Sequence, residues 1–302
     1  MSIRAFLFYT GIKFSGMKKV FRYEEDKFLR AVRKMNRGRG FYMPKDKKVF
    51  YSDHMIFGKY HCLTIQNNRQ QAERAVLYFF GGGMMLGSDK GDVRFIRKLA
   101  QETECDIWFP DYPLCTDHCI TESYNMAFEC YRQMIQRYGA GNVSTCGFSS
   151  GGALAIGIAL HNNAIGAGLP QPRHIVAVSP GEVPWNCEEK ERMKQLNDTD
   201  VMVDYAFMSK VDKFMRHGAA DVPEYMLSTS RGDYTGIHKI HFFYSSCEVL
   251  YGAKEEYQKA CRKYDVVCEI DEKPGMIHCY CMLPYFPEAK EAFGKIVRIL
   301  RE

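Results

Sequence analysis

Two rhythms of apolar and polar positions alternate along most of this chain. Short apolar runs at 76–80, 106–110, 143–148, 174–179, 240–245 and 266–270 have the length and composition of buried strands. Between them lie 89–104, 121–138, 149–162, 254–264 and 287–300, which carry helical patterns. Strands alternating with helices of this length predict βαβ units. The fold class is therefore α/β, with a mostly parallel central sheet and helices on both faces. Two further strand-like stretches within 48–65 predict an antiparallel start to the sheet. The first fifty residues read as helical, basic and amphipathic, ending near Arg37-Gly38-Arg39-Gly40. Between 181 and 239 the alternation breaks, and helices follow one another with no clear strand. Such an insertion would sit at the C-terminal edge of the sheet, where open α/β folds bind ligands. We read 1–302 as a single domain with cap elements at approximately 1–47 and 181–239.

Composition narrows the function classes. Of the 302 residues 46% are hydrophobic and 25% charged, ordinary for a globular chain, and the net charge of +5 is spread over both signs. Basic residues gather at Lys18-Lys19, 30–39 and 45–48, with Glu24, Glu25 and Asp26 among them. That mixture reads as a solvated helix face rather than a contact with nucleic acid or an anionic membrane. Twelve cysteines are scattered without the spacing of a disulfide framework or a zinc site, and predict reduced thiols in a cytoplasmic protein. The apolar patch at 5–9 is too short for a leader, and no run approaches a membrane span.

The sharpest chemical signal is Gly147-Phe148-Ser149-Ser150-Gly151-Gly152. It holds G-x-S-x-G between an apolar strand and an Ala-rich helix, the context that exposes a nucleophilic serine on a strained turn. Side chains two positions before and after that serine would strike backbone, so Gly147 and Gly151 suit their places. The helix that follows points its N-terminus at developing negative charge. A second signal is Phe80-Gly81-Gly82-Gly83 at a strand end, where backbone N–H groups can approach an oxyanion. Neither a phosphate loop nor a dinucleotide fingerprint accompanies it.

With Asp111-Tyr112-Pro113-Leu114 through His118 between them, these blocks resemble, in order and spacing, those of the hormone-sensitive-lipase-like branch of the α/β-hydrolases. That family carries H-G-G-G, D-Y-R-L-A-P-E-H and G-D-S-A-G-G. The resemblance runs from about residue 76 to the C-terminus and implies an α/β-hydrolase fold with a helical cap. It implies Ser149 as nucleophile, Glu248 in the acid position after the strand 240–245, and His278 on the loop after the last strand. The oxyanion donors would be the N–H groups of Gly82, Gly83 and Ser150. Asp271 and Glu272 are the fallback acids, and His118 reads as structural. No metal or cofactor is implied.

The departures are Phe80 for the histidine of H-G-G-G, Phe148 for the aspartate beside the nucleophile, Ser150 for alanine, and Glu248 for aspartate. Phe80 packs but cannot hydrogen-bond, so the glycine loop must be held differently. Phe148 either narrows the acyl site or packs under the turn. The expected activity is hydrolysis of short-chain acyl esters through an acyl-serine. An amidase or peptidase on the same fold and a non-catalytic small-molecule receptor are the alternatives. The expected partner is a small-molecule ester; nucleic acid is not expected, and homodimerisation is left open. In 182–231, Met202, Tyr205, Phe207, Met208, Phe214 and Met215 read mostly as helix core rather than acyl pocket.

Overall fold

The computed structural model describes residues 1–45 and 48–302, so the centre of the basic run at 45–48 lies outside the described residues. Eight strands form one sheet: β1 (Phe50–Ile56), β2 (Tyr60–Gln66), β3 (Ala75–Phe79), β4 (Asp106–Pro110), β5 (Val143–Phe148), β6 (Ile175–Val178), β7 (Lys239–Ser245) and β8 (Val267–Lys273). Their order is β1-β2-β4-β3-β5-β6-β7-β8. The two pairs made by β2 are antiparallel and every other pair is parallel. The expected antiparallel start and parallel body are both present. β3, β4 and β5 are buried along their whole lengths. Coverage on both faces explains why they read as unbroken apolar runs rather than alternating ones. At the edge, β8 alternates between exposed and half-buried positions.

Helices Lys90–Thr103 and Pro287–Arg301 pack on one another, as do Ile120–Tyr138 and Ser150–Ala164. The first of these starts on a reciprocal cap, with Asp89 accepting from the helix N–H groups and Asp92 accepting from Asp89. Helix Ser150–Ala164 is buried from Ser150 through Asn162, so its small residues let it lie directly on β5, β6 and β3. Register brings Phe79 level with Gly147 and Phe148 level with Val178, so the C-terminal ends of β3, β5 and β6 open at one place.

The first fifty residues are less uniform than their pattern suggests. Helix Glu25–Asn36 is amphipathic and buries Phe28 and Val32. Helix Ile3–Ser15 is apolar on both faces: it buries only Ala5, packs Phe8, Tyr9 and Ile12 against the body, and turns Ile3, Phe6, Leu7 and Phe14 outward. Between β6 and β7 the chain forms four short helices, Cys187–Gln195, Tyr205–Met208, Val211–Arg216 and Glu224–Leu227, with no strand among the described residues.

Candidate active site

Ser149 stands between β5 and helix Ser150–Ala164 with φ 55° and ψ −128°. A non-glycine residue there is strained, and the surrounding backbone holds it. Its N–H donates to the Val178 carbonyl at 2.9 Å, and its carbonyl accepts from Gly152 and Gly181 at 2.8 and 3.0 Å. The flanking glycines are required sterically. A Cβ on Gly147 would lie 2.0 Å from the Gly151 carbonyl oxygen, and one on Gly151 would lie 2.3 Å from the carbonyl oxygens of Phe79 and Phe80.

The glycine loop runs beside this turn, with Gly82 and Gly83 at φ 130° and 63°. The N–H groups of Gly82, Gly83 and Ser150 find no acceptor among the described residues, while all three residues line the cavity that holds Ser149. Phe80 does not leave the loop loose. Its ring stacks on Tyr112 at 4.1 Å and 6° and meets Phe109 edge-on. The Tyr112 hydroxyl donates to the Phe80 carbonyl at 2.7 Å. Past the glycines, Met84 N–H donates to Ser150 Oγ at 3.2 Å, and Asn36 accepts from Gly87 N–H and donates to the Met85 carbonyl. Three side chains thus hold a loop that lacks its usual histidine. Phe148 is buried against Tyr78 and Phe95 under the turn and also lines the cavity, so both expected placements apply.

Glu248 follows β7 and is buried. One carboxylate oxygen accepts from Ser179 Oγ at 2.8 Å and Ser245 N–H at 2.9 Å; the other lies 2.5 Å from His278 Nδ1. An ionised carboxylate can only accept, so Nδ1 carries a proton, and Nε2 is the basic nitrogen once the ring is neutral. Burial opposes charge on His278, but Cys279 and Glu248 outweigh it and hold the imidazole well above its ordinary value. Nε2 lies 3.3 Å from Cys279 Sγ. Among the described residues the Ser149 hydroxyl has no hydrogen-bond partner, although Ser149 and His278 line one cavity. Such contacts commonly tighten only when substrate binds.

The fallback acids are engaged elsewhere, Asp271 by Lys295 and Glu272 by the Tyr251 hydroxyl. His118 pairs with Glu122 one helical turn on, as a structural residue would. Sequence reasoning missed the Ser150 hydroxyl, Asn36, Cys279 and Glu182. Glu182 follows β6, lines the cavity, and is buried while accepting from Ser230 N–H and Oγ at 3.1 and 2.8 Å. Only its position just past a strand end could have flagged it.

The cavity measures about 940 Å³ and is largely apolar. Met17, Val20, Phe28 and Met35 form one wall, and Met202, Phe207, Met208 and Met215 another. The residues singled out in 182–231 serve both roles: Phe207, Met208, Phe214 and Met215 are buried in the hydrophobic core, as expected of most of them, while Met202, Phe207, Met208 and Met215 also line the cavity and Phe214 stacks on Phe28. Short, broken helices carry no sustained periodicity by which to separate lining from core. Phe207 closes over the loop, since a Cβ on Gly83 would meet its ring at 2.8 Å. No group of residues that could hold a metal occurs among the described residues, and all twelve cysteines are free.

A strained serine flanked by glycines at the end of a central parallel strand, with a glutamate–histidine pair from the loops after β7 and β8, defines the class. The chain belongs to the α/β hydrolase fold family, whose model matches residues 76–282. It is similar to an esterase of Acinetobacter venetianus, 22% identical over 229 residues that span 74% of each chain. Among solved structures, an esterase/lipase from an uncultured bacterium matches with TM-score 0.80 at 18% identity, covering 100% of this chain and 98% of that one. An esterase of the bacterial hormone-sensitive lipase family matches with the same score, identity and coverage. A hormone-sensitive lipase from a metagenome library gives 0.79 at 20% identity, covering 100% and 98%. At these identities the structural matches speak for the fold.

Proposed function

We propose that this protein is a carboxylic ester hydrolase that works through an acyl-serine at Ser149. The observation that carries the reading is the buried Glu248–His278 pair at 2.5 Å, whose histidine lines the cavity that Ser149 also lines. In this mechanism His278 Nε2 takes the Ser149 proton as Oγ bonds to the ester carbonyl carbon. The carbonyl oxygen becomes an oxyanion held by the N–H groups of Gly82, Gly83 and Ser150. The intermediate collapses, the carbon–alkoxide bond breaks, and His278 returns the proton to the departing alcohol. Water then repeats the sequence on the acyl-serine and releases the acid. Glu248 fixes the imidazole tautomer and stabilises the imidazolium.

The segments at 1–47 and 181–239 act as the cap in this reading, because both supply cavity wall. Short-chain acyl esters are the proposed substrates, and the volume and apolar lining extend the range to longer chains. Twelve unpaired cysteines suit a reducing, cytoplasmic setting. The test is a panel of p-nitrophenyl esters of increasing acyl length with wild type and Ser149→Ala. Turnover lost in Ser149→Ala supports the reading. A flat background response from wild type favours the amidase or receptor alternatives.

A further inference from the structure

Helix Ile3–Ser15 places large apolar side chains in solvent: Ile3 is 80% exposed, Leu7 64% and Phe14 82%. At 100° per residue, Ile3, Phe6, Leu7, Thr10 and Phe14 fall within about 100° of arc. Arg4 and Lys13 flank that stripe on either side, and Lys19 follows it; all three are exposed and make no ion pair among the described residues. The helix is not a frayed end. Ser2 caps it and binds Glu288, the Tyr9 hydroxyl donates to the Thr199 carbonyl, and Phe8 meets Phe286. Its inner face is therefore fixed to the body and its outer face is held in solvent.

The stripe is continuous with the mouth of the cavity. Met17 follows the helix and lines the cavity while 44% exposed. Tyr285, next to the Phe286 that the helix touches, also lines the cavity and is 65% exposed. An apolar stripe bordered by cations is the pattern of a helix lying in a bilayer interface. We propose that this face docks on a membrane surface bearing anionic lipid headgroups, with Ile3, Phe6, Leu7 and Phe14 entering the acyl boundary and Arg4, Lys13 and Lys19 meeting the headgroups. No helix among the described residues is long enough and apolar enough to cross a membrane, so the contact is peripheral. The docked orientation turns the cavity mouth toward the bilayer, the source of esters with long apolar chains. A second copy of the chain fits this face poorly. Two-fold pairing would set Arg4 and Lys13 near their own counterparts, and one helix stripe falls short of the ~800 Å² per partner of a standard interface.

The test is co-sedimentation of the full chain with phosphatidylcholine vesicles, with and without phosphatidylglycerol. Wild type should pellet with the phosphatidylglycerol vesicles, and less so as salt rises. Phe6→Asp/Phe14→Asp should cut vesicle binding by about tenfold or more. The same variant should keep its melting temperature and its turnover of a soluble p-nitrophenyl ester, since neither residue lines the cavity. Lys13→Glu/Lys19→Glu should weaken binding to anionic vesicles alone. Wild type left in the supernatant, or unchanged binding by the Phe6/Phe14 variant, overturns the proposal. So does a wild-type dimer that this variant converts to monomer, which would assign the face to self-association.

Discussion

Ser150→Ala tests how a glycine loop without its histidine stays in place. The Ser150 hydroxyl accepts from Met84 N–H at 3.2 Å in a buried setting. Removing it leaves that N–H unpaired, which costs about 1–3 kcal/mol. The loop can recover part of this by shifting, and a shift moves the N–H groups of Gly82 and Gly83 away from the proposed oxyanion position. Outright loss of one oxyanion donor costs roughly 10²–10³ in kcat. Ser150→Ala keeps all three donors and loosens two, so kcat should fall about tenfold with KM nearly unchanged. Tyr112→Phe, which deletes the donor to the Phe80 carbonyl, should act in the same direction. The two should be non-additive when combined, because both hold one loop. Steady-state kinetics on p-nitrophenyl butyrate, with melting curves to confirm folding, supply the readout. Wild-type kcat in Ser150→Ala would refute the reasoning, since it would mean that the ring stack of Phe80 on Tyr112 suffices.

Further outcomes can be measured on the same protein. His278 is held above its ordinary pKa and must be neutral to act as base, so kcat/KM should rise with pH through a value above 6.5. Glu248→Gln removes a charge that favours the imidazolium; it should move that limb to lower pH while lowering kcat by about 10³–10⁴-fold, and an unmoved limb would break the link between the pair and catalysis. Gly147→Ala should destabilise by about 3 kcal/mol or more, because its Cβ meets the Gly151 carbonyl oxygen at 2.0 Å, whereas Gly294→Ala, with open space inside helix Pro287–Arg301, should stabilise by about 0.5–1 kcal/mol in chemical denaturation. Burial pushes the Glu189 carboxyl up to about 9, and its Oε1 has no partner. A raised pKa means stability that is full below the ordinary carboxyl value and is lost as pH rises toward 9. Glu189→Gln should therefore match wild type near pH 4 and exceed it in stability at pH 7, and a pH-independent difference in melting temperature would contradict this.

The parallel core was legible because strands buried on both faces leave unbroken apolar runs. β4 and β5 lie at the boundaries read from sequence, and β3 within a residue. Ser149 was marked by its own motif, Glu248 and His278 by the family resemblance, and the structure brings Glu248 and His278 into contact. What stayed hidden depends on contacts distant in sequence. Asn36 reaches the loop at Met85 and Gly87 from a helix fifty residues earlier, and no local pattern marks it. Ser150 stands where the family has alanine, and no local pattern shows that Met84 N–H donates to its hydroxyl. Helix Ile3–Ser15 could not be oriented from its sequence, because apolar residues on both sides leave no polar face to point outward.

Ser149 is the proposed acyl-bearing nucleophile. Reaction with a fluorophosphonate, followed by peptide mass spectrometry, tests it most directly. Wild type should give one adduct, on the peptide containing Ser149, abolished in Ser149→Ala and strongly slowed in His278→Ala. No adduct on folded wild type, or an adduct that persists at another residue in Ser149→Ala, would contradict it.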